Sequence, residues 1–111
     1  MQGLTEEEKD ELAVYIEDKV FHDMNTKPRI RYYRYGIVVD IYYQNTKLTI
    51  DIKWYNGFYV IIIYQYDYYF DRYDVYQETN FREKFYQLST INDVYRYIDY
   101  YINQLRPKML L

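Results

Sequence analysis

Apolar and polar residues alternate with a period of two across residues 37–64, and this alternation constrains the fold more than any other feature of the chain. Such a period is typical of β-strands that bury one face. The dipeptide Asn56-Gly57 interrupts it, and both residues tolerate the positive φ that a two-residue hairpin loop requires. A second two-residue loop is predicted at Asn45-Thr46. The sequence therefore predicts an antiparallel meander whose third strand covers residues 58–69.

The two loops also predict which residues pair across the sheet. With these loops, one face of the meander is apolar throughout, and the predicted pairs are Ile52 with Ile61, Trp54 with Tyr59, Ile41 with Ile50, and Val39 with Ile52. The third strand is apolar on its second face as well, through Phe58, Val60, Ile62 and Tyr64. A strand that is apolar on both sides usually has both faces covered. We expect the cover to be the protein's own helices or a partner.

Helices are predicted before and after the meander. Thr5-Glu-Glu-Glu8 has the spacing of a capping box and opens a helix over residues 5–25. Thr90-Ile-Asn-Asp93 has the same spacing and opens a helix that ends near Pro107. Between the meander and this helix we expect a short fourth strand over Tyr73–Gln77. A short helix is expected after it, capped by Asn80 and Glu83, with Phe81, Phe85 and Leu88 on its apolar side.

These elements predict the α+β fold class. The expected architecture is an antiparallel three- to four-stranded meander with an N-terminal helix and a C-terminal helix, in the order α-β-β-β-(β)-α. At 111 residues the chain is expected to form a single domain over residues 1–111.

The composition narrows the class of protein. The chain has no cysteine, so thiolate metal sites are excluded, and its acidic start lacks the basic and apolar regions of a signal peptide. Its longest apolar run is too short to span a bilayer. We therefore expect a cytoplasmic protein without a membrane partner. A chain with 19 tyrosines and one alanine also has the composition of an AT-rich gene, which favours a virus, plasmid or other mobile element.

The hairpin of residues 37–54 carries the only pattern that indicates catalysis. In the predicted register Asp40 lies opposite Asp51, with about 5 Å between the Cβ atoms, and Lys53 projects to the same face. This arrangement resembles the PD-(D/E)xK nuclease superfamily, which includes restriction enzymes and Holliday-junction resolvases. The resemblance implies that Asp40, Asp51 and a glutamate of the first helix, either Glu17 or Glu11, are ligands of Mg²⁺ or Mn²⁺. It implies that Lys53 orients the attacking water.

The same three residues of the hairpin have a structural interpretation. The family's core continues from the lysine strand through a helix, whereas this chain turns at Asn56-Gly57 and runs straight back. A D-x-K pattern on the wet face of a strand also arises easily by chance. In this interpretation Lys53 screens two surface carboxylates, and the protein holds no cofactor.

A basic, aromatic segment precedes the hairpin and supports a second alternative. Residues 27–36 carry four cations and no acid, interleaved with tyrosines. Arginines hold phosphates and tyrosines stack on bases, so Arg29, Arg31, Tyr33 and Arg34 are candidates for binding single-stranded nucleic acid. The structural interpretation is a charged edge strand that resists edge-to-edge pairing.

The leading hypothesis concerns tyrosines. Tyrosine offers a large contact area and a hydroxyl at low entropic cost, so binding surfaces favour it. The candidate partner-binding residues are Tyr64, Tyr66, Tyr68, Tyr69, Tyr73 and Tyr76. We expect a non-catalytic macromolecule-binding protein whose partner is a protein of the host or of the element. An inhibitor of a host defence or nucleic-acid enzyme fits this description, and a homodimer through the face of residues 58–66 is also expected.

Overall fold

The computed structural model describes residues 2–105, which form two helices and five strands. Their order along the chain is α1 Glu6–Met24, β1 Arg29–Tyr32, β2 Gly36–Tyr43, β3 Thr46–Tyr55, β4 Phe58–Phe70, β5 Tyr76–Leu88 and α2 Ile91–Leu105. The strands form one antiparallel sheet in the order β1-β2-β3-β4-β5. The predicted α+β class and the flanking helices are confirmed, and the sheet has one strand more than the largest number expected.

Both predicted helix starts are confirmed by their caps. The Thr5 hydroxyl accepts a hydrogen bond from the Glu8 amide, and the Glu8 carboxylate accepts one from the Thr5 amide, which completes the capping box of α1. This helix ends where Asn25 adopts the left-handed conformation (φ 53°). At α2 the Thr90 hydroxyl accepts from the Asp93 amide. The predicted end of α2 near Pro107 lies outside the described residues.

The β3–β4 hairpin has the predicted register. Ile52 pairs with Ile61 and Trp54 with Tyr59, around a loop of Asn56 and Gly57 that both have positive φ. The β2–β3 register is different from the prediction. The loop consists of Gln44 and Asn45, with Gln44 at φ 53°, so every predicted partner moves by two residues.

This shift changes the cross-strand neighbours of the acids. Asp40 pairs with Thr49 and Asp51 pairs with Val38, so the prediction that Asp40 lies opposite Asp51 is wrong. The predicted pairs of Ile41 with Ile50 and Val39 with Ile52 are wrong for the same reason. A shift of two residues keeps every side chain on its original face, which is why the alternation alone does not distinguish the two registers.

The region after β4 also differs from the prediction. Of the predicted strand Tyr73–Gln77, only Tyr76 and Gln77 are in a strand, β5, and residues 73–75 lie in the turn before it. The residues predicted as a short capped helix belong to β5 as well, and β5 pairs with β4 along its length. Asn80 is not a helix cap. It has φ 57° at a β-bulge, and its side-chain amide donates to the Asp67 carboxylate at 2.9 Å. An extra residue in the left-handed conformation is what such a bulge accommodates.

The core lies between the helices and one face of the sheet. Leu12, Ile16 and Val20 of α1, together with Val94, Ile98 and Ile102 of α2, pack on alternate residues of the central strands. Those strand residues are Ile37, Val39, Ile41, Leu48, Ile50, Ile52, Ile61 and Ile63. The molecule is thus a two-layer structure in which both helices cover the same face. Within residues 2–105 no helix combines the length and the apolar character needed to cross a membrane.

Candidate functional site

The face of the sheet turned away from the helices, here called the open face, holds most of the candidate residues. Its members alternate with core residues along each strand and pair with one another across the sheet. They are Arg29, Arg31 and Tyr33; Val38, Asp40 and Tyr42; Lys47, Thr49, Asp51 and Lys53; Val60, Ile62, Tyr64, Tyr66 and Tyr68; and Tyr76, Glu78, Phe81, Glu83, Phe85 and Gln87.

Asp40 is the buried acid of this face. Its side chain is 7% exposed, and its two oxygens are both used. One oxygen accepts from the Arg31 guanidinium at 3.1 Å, and the other accepts from the Thr49 hydroxyl at 2.7 Å. A buried carboxylate is tolerated only when it is paired and hydrogen-bonded in this way. Asp40 therefore ties β1 and β3 to β2.

Asp51 has a separate environment from Asp40. Its carboxylate accepts from the Tyr33 hydroxyl at 2.7 Å, and burial together with this bond raises the pKa of Tyr33. Lys53 lies two residues further along β3, beside Gly36 and Val60. Glu17 lies on α1, which packs against the opposite face of the sheet. The structure therefore does not bring together the four residues that the nuclease resemblance implies.

The described part of the chain also contains no group of three or more histidine, aspartate or glutamate side chains placed to hold a metal ion. The β2–β3 register seats Asp40 beside the Thr49 hydroxyl instead of opposite Asp51, and the β1–β2 pairing brings Arg31 to Asp40. The arrangement can stabilise the sheet electrostatically.

We expect Asp40→Ala to lower the free energy of unfolding by about 1–3 kcal/mol, because the Thr49 hydroxyl loses its acceptor and Arg31 loses its ion pair. Urea denaturation measures this. Asp51→Ala, which removes a less buried carboxylate, is the matched control and should cost less.

Adding Mg²⁺ or Mn²⁺ should leave the melting temperature of the parent protein unchanged, since a bound metal would raise it by mass action.

One result would contradict a purely structural role for Asp40 and Asp51. A metal-dependent rise in melting temperature that disappears in Asp51→Ala, accompanied by cleavage of DNA or RNA, would make the hairpin a nuclease centre.

The cationic residues of the basic segment have different positions. Arg29, Arg31 and Tyr33 share the open face, as the spacing predicts, whereas Arg34 lies in the β1–β2 turn over the ring of Tyr35. A further cation comes from β3. The Lys47 ammonium lies 5.3 Å from the ring centre of Tyr42 and 5.7 Å from that of Tyr66.

Lys47 remains cationic in this environment. Burial alone would lower its pKa, but the hydrogen bond with Tyr42 and the charge of Asp40 outweigh burial, and the pKa is raised. The open face therefore has the aromatic rings and the cationic side chains that nucleic-acid binding uses, but acidic side chains lie between them.

The six candidate tyrosines fall into three places. Tyr64, Tyr66, Tyr68 and Tyr76 lie on the open face, Tyr69 projects to the other face, and Tyr73 lies in the turn between β4 and β5. Burial, followed by the charges of Glu83 and Asp51, raises the pKa of Tyr64.

An aromatic cluster marks the far end of the β4–β5 hairpin. Tyr66 stacks on Phe81 at 6.2 Å between ring centres, Tyr68 stacks on Tyr76 at 6.2 Å, and Phe70 meets Tyr76 edge-on at 5.8 Å. We call this cluster, together with Tyr73, the hairpin patch. The part of the patch from Tyr68 to Tyr76 projects past β3, whose last pair with β4 joins Thr46 to Asp67. Phe70 is 65% exposed and Tyr73 is 70% exposed.

Sequence reasoning misses the contribution of β5. It places Phe81 in a helix stripe and Glu83 in a cap, but both lie on the open face. The segment Phe81–Leu88 shows no regular alternation of apolar and polar residues, so the sequence gives no local signal for this strand. Lys47 and Tyr42 are missed because their contact depends on the β2–β3 loop.

No protein-family model, curated protein or solved structure matches this chain.

Proposed function

We propose that this protein is a non-catalytic macromolecule-binding protein that holds a protein partner through the hairpin patch. The observation that carries the proposal is the cluster of contacting aromatic side chains at the end of a hairpin that extends beyond its neighbouring strand. An exposed aromatic cluster of this kind is typical of a contact site, because monomeric surfaces rarely expose large contiguous apolar areas.

The tip of the hairpin is held in one conformation by Asp71. Its carboxylate accepts from the backbone amides of Tyr73 at 2.8 Å and Val75 at 3.1 Å, and from the Gln77 side chain at 3.2 Å. The two backbone bonds lower the pKa of Asp71, so it stays ionised near neutral pH. A turn fixed in this way loses little conformational entropy on binding, which favours affinity.

We propose further that the bound partner is a defence enzyme or a nucleic-acid enzyme of the host and that binding inhibits it. The proposed activity uses no cofactor. The support for a mobile-element origin is the tyrosine-rich, alanine-poor composition. Among residues 2–105 the catalytic arrangement implied by the nuclease resemblance is not assembled, so occupying a partner's surface is the mode of action that the geometry favours.

Photocrosslinking in the cell of origin tests the hairpin patch. A benzophenone amino acid that replaces Tyr73 should give one discrete adduct with a protein. The same replacement at Tyr100, a tyrosine of α2 that is also well exposed, is the matched control and should give none. The adduct should disappear when Phe70 and Tyr76 are both changed to Ser.

Equal labelling from positions 73 and 100, or an adduct that survives the double change, would contradict the proposal. Adducts from position 73 with nucleic acid instead of protein would favour the single-strand-binding alternative. The specific observation behind that alternative is the cation between the rings of Tyr42 and Tyr66.

A further inference from the structure

The middle of the open face carries an apolar group that is separate from the core. Val38, Ile62 and Phe85 lie in one cross-strand row, with Asp51 between the first two, and Val60 lies beside them in the next row. None of the four apolar residues packs in the core under the helices, but Val60 is already buried at 4% exposure, so the accessible members of the group are Val38, Ile62 and Phe85. Phe85 is 56% exposed. This group contains no residue of the hairpin patch, although Tyr66, Tyr68, Tyr76 and Phe81 of that patch lie on the same open face.

The charges around this apolar group are ordered across the sheet. One row runs from β1 to β5 through Arg29, Asp40, Thr49, Tyr64 and Glu83. Its inner acid, Asp40, is already paired with Arg31 and Thr49. The row therefore has an exposed cation at one edge of the sheet and an exposed acid at the other.

We infer that a second copy of this chain packs face to face on the open face, around a two-fold axis parallel to β3. Rotation about such an axis places β1 of each copy over β5 of the other. Arg29 then meets Glu83 of the second copy, twice per dimer, and Val38 meets Ile62. Sheets that pack face to face keep their strands nearly aligned, as this axis requires, and a two-fold interface must be self-complementary.

The pairing at the centre of the interface is also favourable. Here β3 faces itself, and successive open-face residues on a strand lie about 7 Å apart. The long side chain of Lys53 spans that distance to Asp51 of the second copy. The two acids at the centre are thus balanced by two ammonium groups.

The charge balance favours a second copy over nucleic acid. The open face carries four cationic side chains and four acids, namely Arg29, Arg31, Lys47 and Lys53 against Asp40, Asp51, Glu78 and Glu83. Nucleic acid requires an excess of cations. The proposed axis exchanges the edge cation Arg29 with the edge acid Glu83, which is an opposite-charge contact of the kind that a self-complementary surface requires.

The size of the interface predicts a reversible dimer. Five strands spaced about 4.8 Å apart, over a length of about 20 Å, give a flat footprint of roughly 500 Å² on each copy. Interfaces near this size are at the weak end of specific association. Molar mass must therefore be measured by sedimentation equilibrium over about a hundredfold range of protein concentration.

A charge-reversal experiment tests the symmetry. We expect Arg29→Glu and Glu83→Arg each to raise the dissociation constant of the dimer at least about tenfold, because each change places like charges opposite each other. Mixing the two variants should restore association, since a heterodimer of one R29E chain and one E83R chain regains both opposite-charge contacts. Lys84→Glu, a charge reversal on β5 but on the other face, is the control and should leave the dissociation constant unchanged.

Three results would overturn the inference. They are a parent protein that stays monomeric over the whole range, reversals that weaken association no more than Lys84→Glu does, and variants that fail to associate when mixed. A monomeric parent that binds single-stranded oligonucleotides, and loses them in Arg29→Glu, would assign the open face to nucleic acid instead. Photocrosslinking from position 73 is read separately, so each proposal can fail without the other.

Discussion

Gly36→Ala is expected to lower the free energy of unfolding by at least about 3 kcal/mol or to prevent folding altogether. A Cβ atom at Gly36 would lie 1.8 Å from the backbone oxygen of Ile52 and 2.8 Å from the Cα atom of Lys53. Both obstacles are backbone atoms of the paired strand β3, so no side-chain rotation relieves the clash. Separating the strands would break the pairing of Gly36 with Lys53 at the start of β2.

Gly57→Ala provides the matched control. Nothing lies within 4 Å of a Cβ atom placed there, and the only obstacle is the positive φ of 83°. We expect a loss of about 1–2 kcal/mol, the cost of the left-handed conformation for a residue with a side chain. Urea denaturation followed by circular dichroism compares the two variants. A Gly36→Ala protein with the midpoint of the parent would show that β2 and β3 separate more easily than this geometry implies.

The elements that sequence analysis predicts correctly are those specified by local chemistry. The capping box at Thr5 and the hydroxyl cap at Thr90 place the two helix starts, because each cap and its partner are three residues apart. The Asn56-Gly57 loop fixes the β3–β4 register, because few other dipeptides accept two positive φ values. Each of these features depends on fewer than about five neighbouring residues.

The wrong predictions of the β2–β3 register and of β5 have a common physical origin, because in both cases the local sequence does not determine the structure and strand pairing does. Asn45-Thr46 and Gln44-Asn45 are both acceptable loops, and the period-two pattern is the same for either choice. Asn80 and Glu83 have helix-capping spacing, but pairing along β4 outweighs that weak preference. The two errors together misplace Asp40, Phe81 and Glu83.

For the candidate site, the sequence predicts on which face of the sheet a side chain lies, but not which side chains it contacts. The alternation correctly places Arg29, Arg31 and Tyr33 on one face of the sheet. The pairing of Arg31 with Asp40 depends on β1, a strand of four residues whose register no local pattern specifies. The bond of Tyr33 with Asp51 depends on the β2–β3 register in the same way.

Part of the tyrosine content has a structural role that sequence analysis does not anticipate. Among residues 2–105, tyrosine hydroxyls donate to carboxylates in five pairs, which are Tyr15 with Asp99, Tyr32 with Asp10, Tyr33 with Asp51, Tyr59 with Glu8, and Tyr76 with Glu78. The partners are up to 84 residues apart. Three of these bonds fasten a helix to the other helix or to the sheet. Tyrosine thus serves the fold as well as exposed surfaces such as the hairpin patch.

These bonds predict that the protein unfolds at alkaline pH. The hydrogen bond with Asp99, followed by burial, raises the pKa of Tyr15 to about 12 from the usual value of 10.0. Burial, followed by the bond with Glu8, raises the pKa of Tyr59 to about 12. A neutral phenol is therefore favoured in the folded state, and the unfolded chain loses its phenolic protons more readily.

The stability that these tyrosines contribute is complete below pH 10 and is lost as the pH rises toward 12. Titration followed by tyrosinate absorbance and circular dichroism should show these partly buried phenols ionising together with loss of the fold. Tyr15→Phe, which retains the ring but not the donor, should be less stable near neutral pH and should show a smaller loss between pH 10 and 12. If the fold persists while every tyrosine ionises near pH 10, these hydroxyl–carboxylate bonds do not hold the helices.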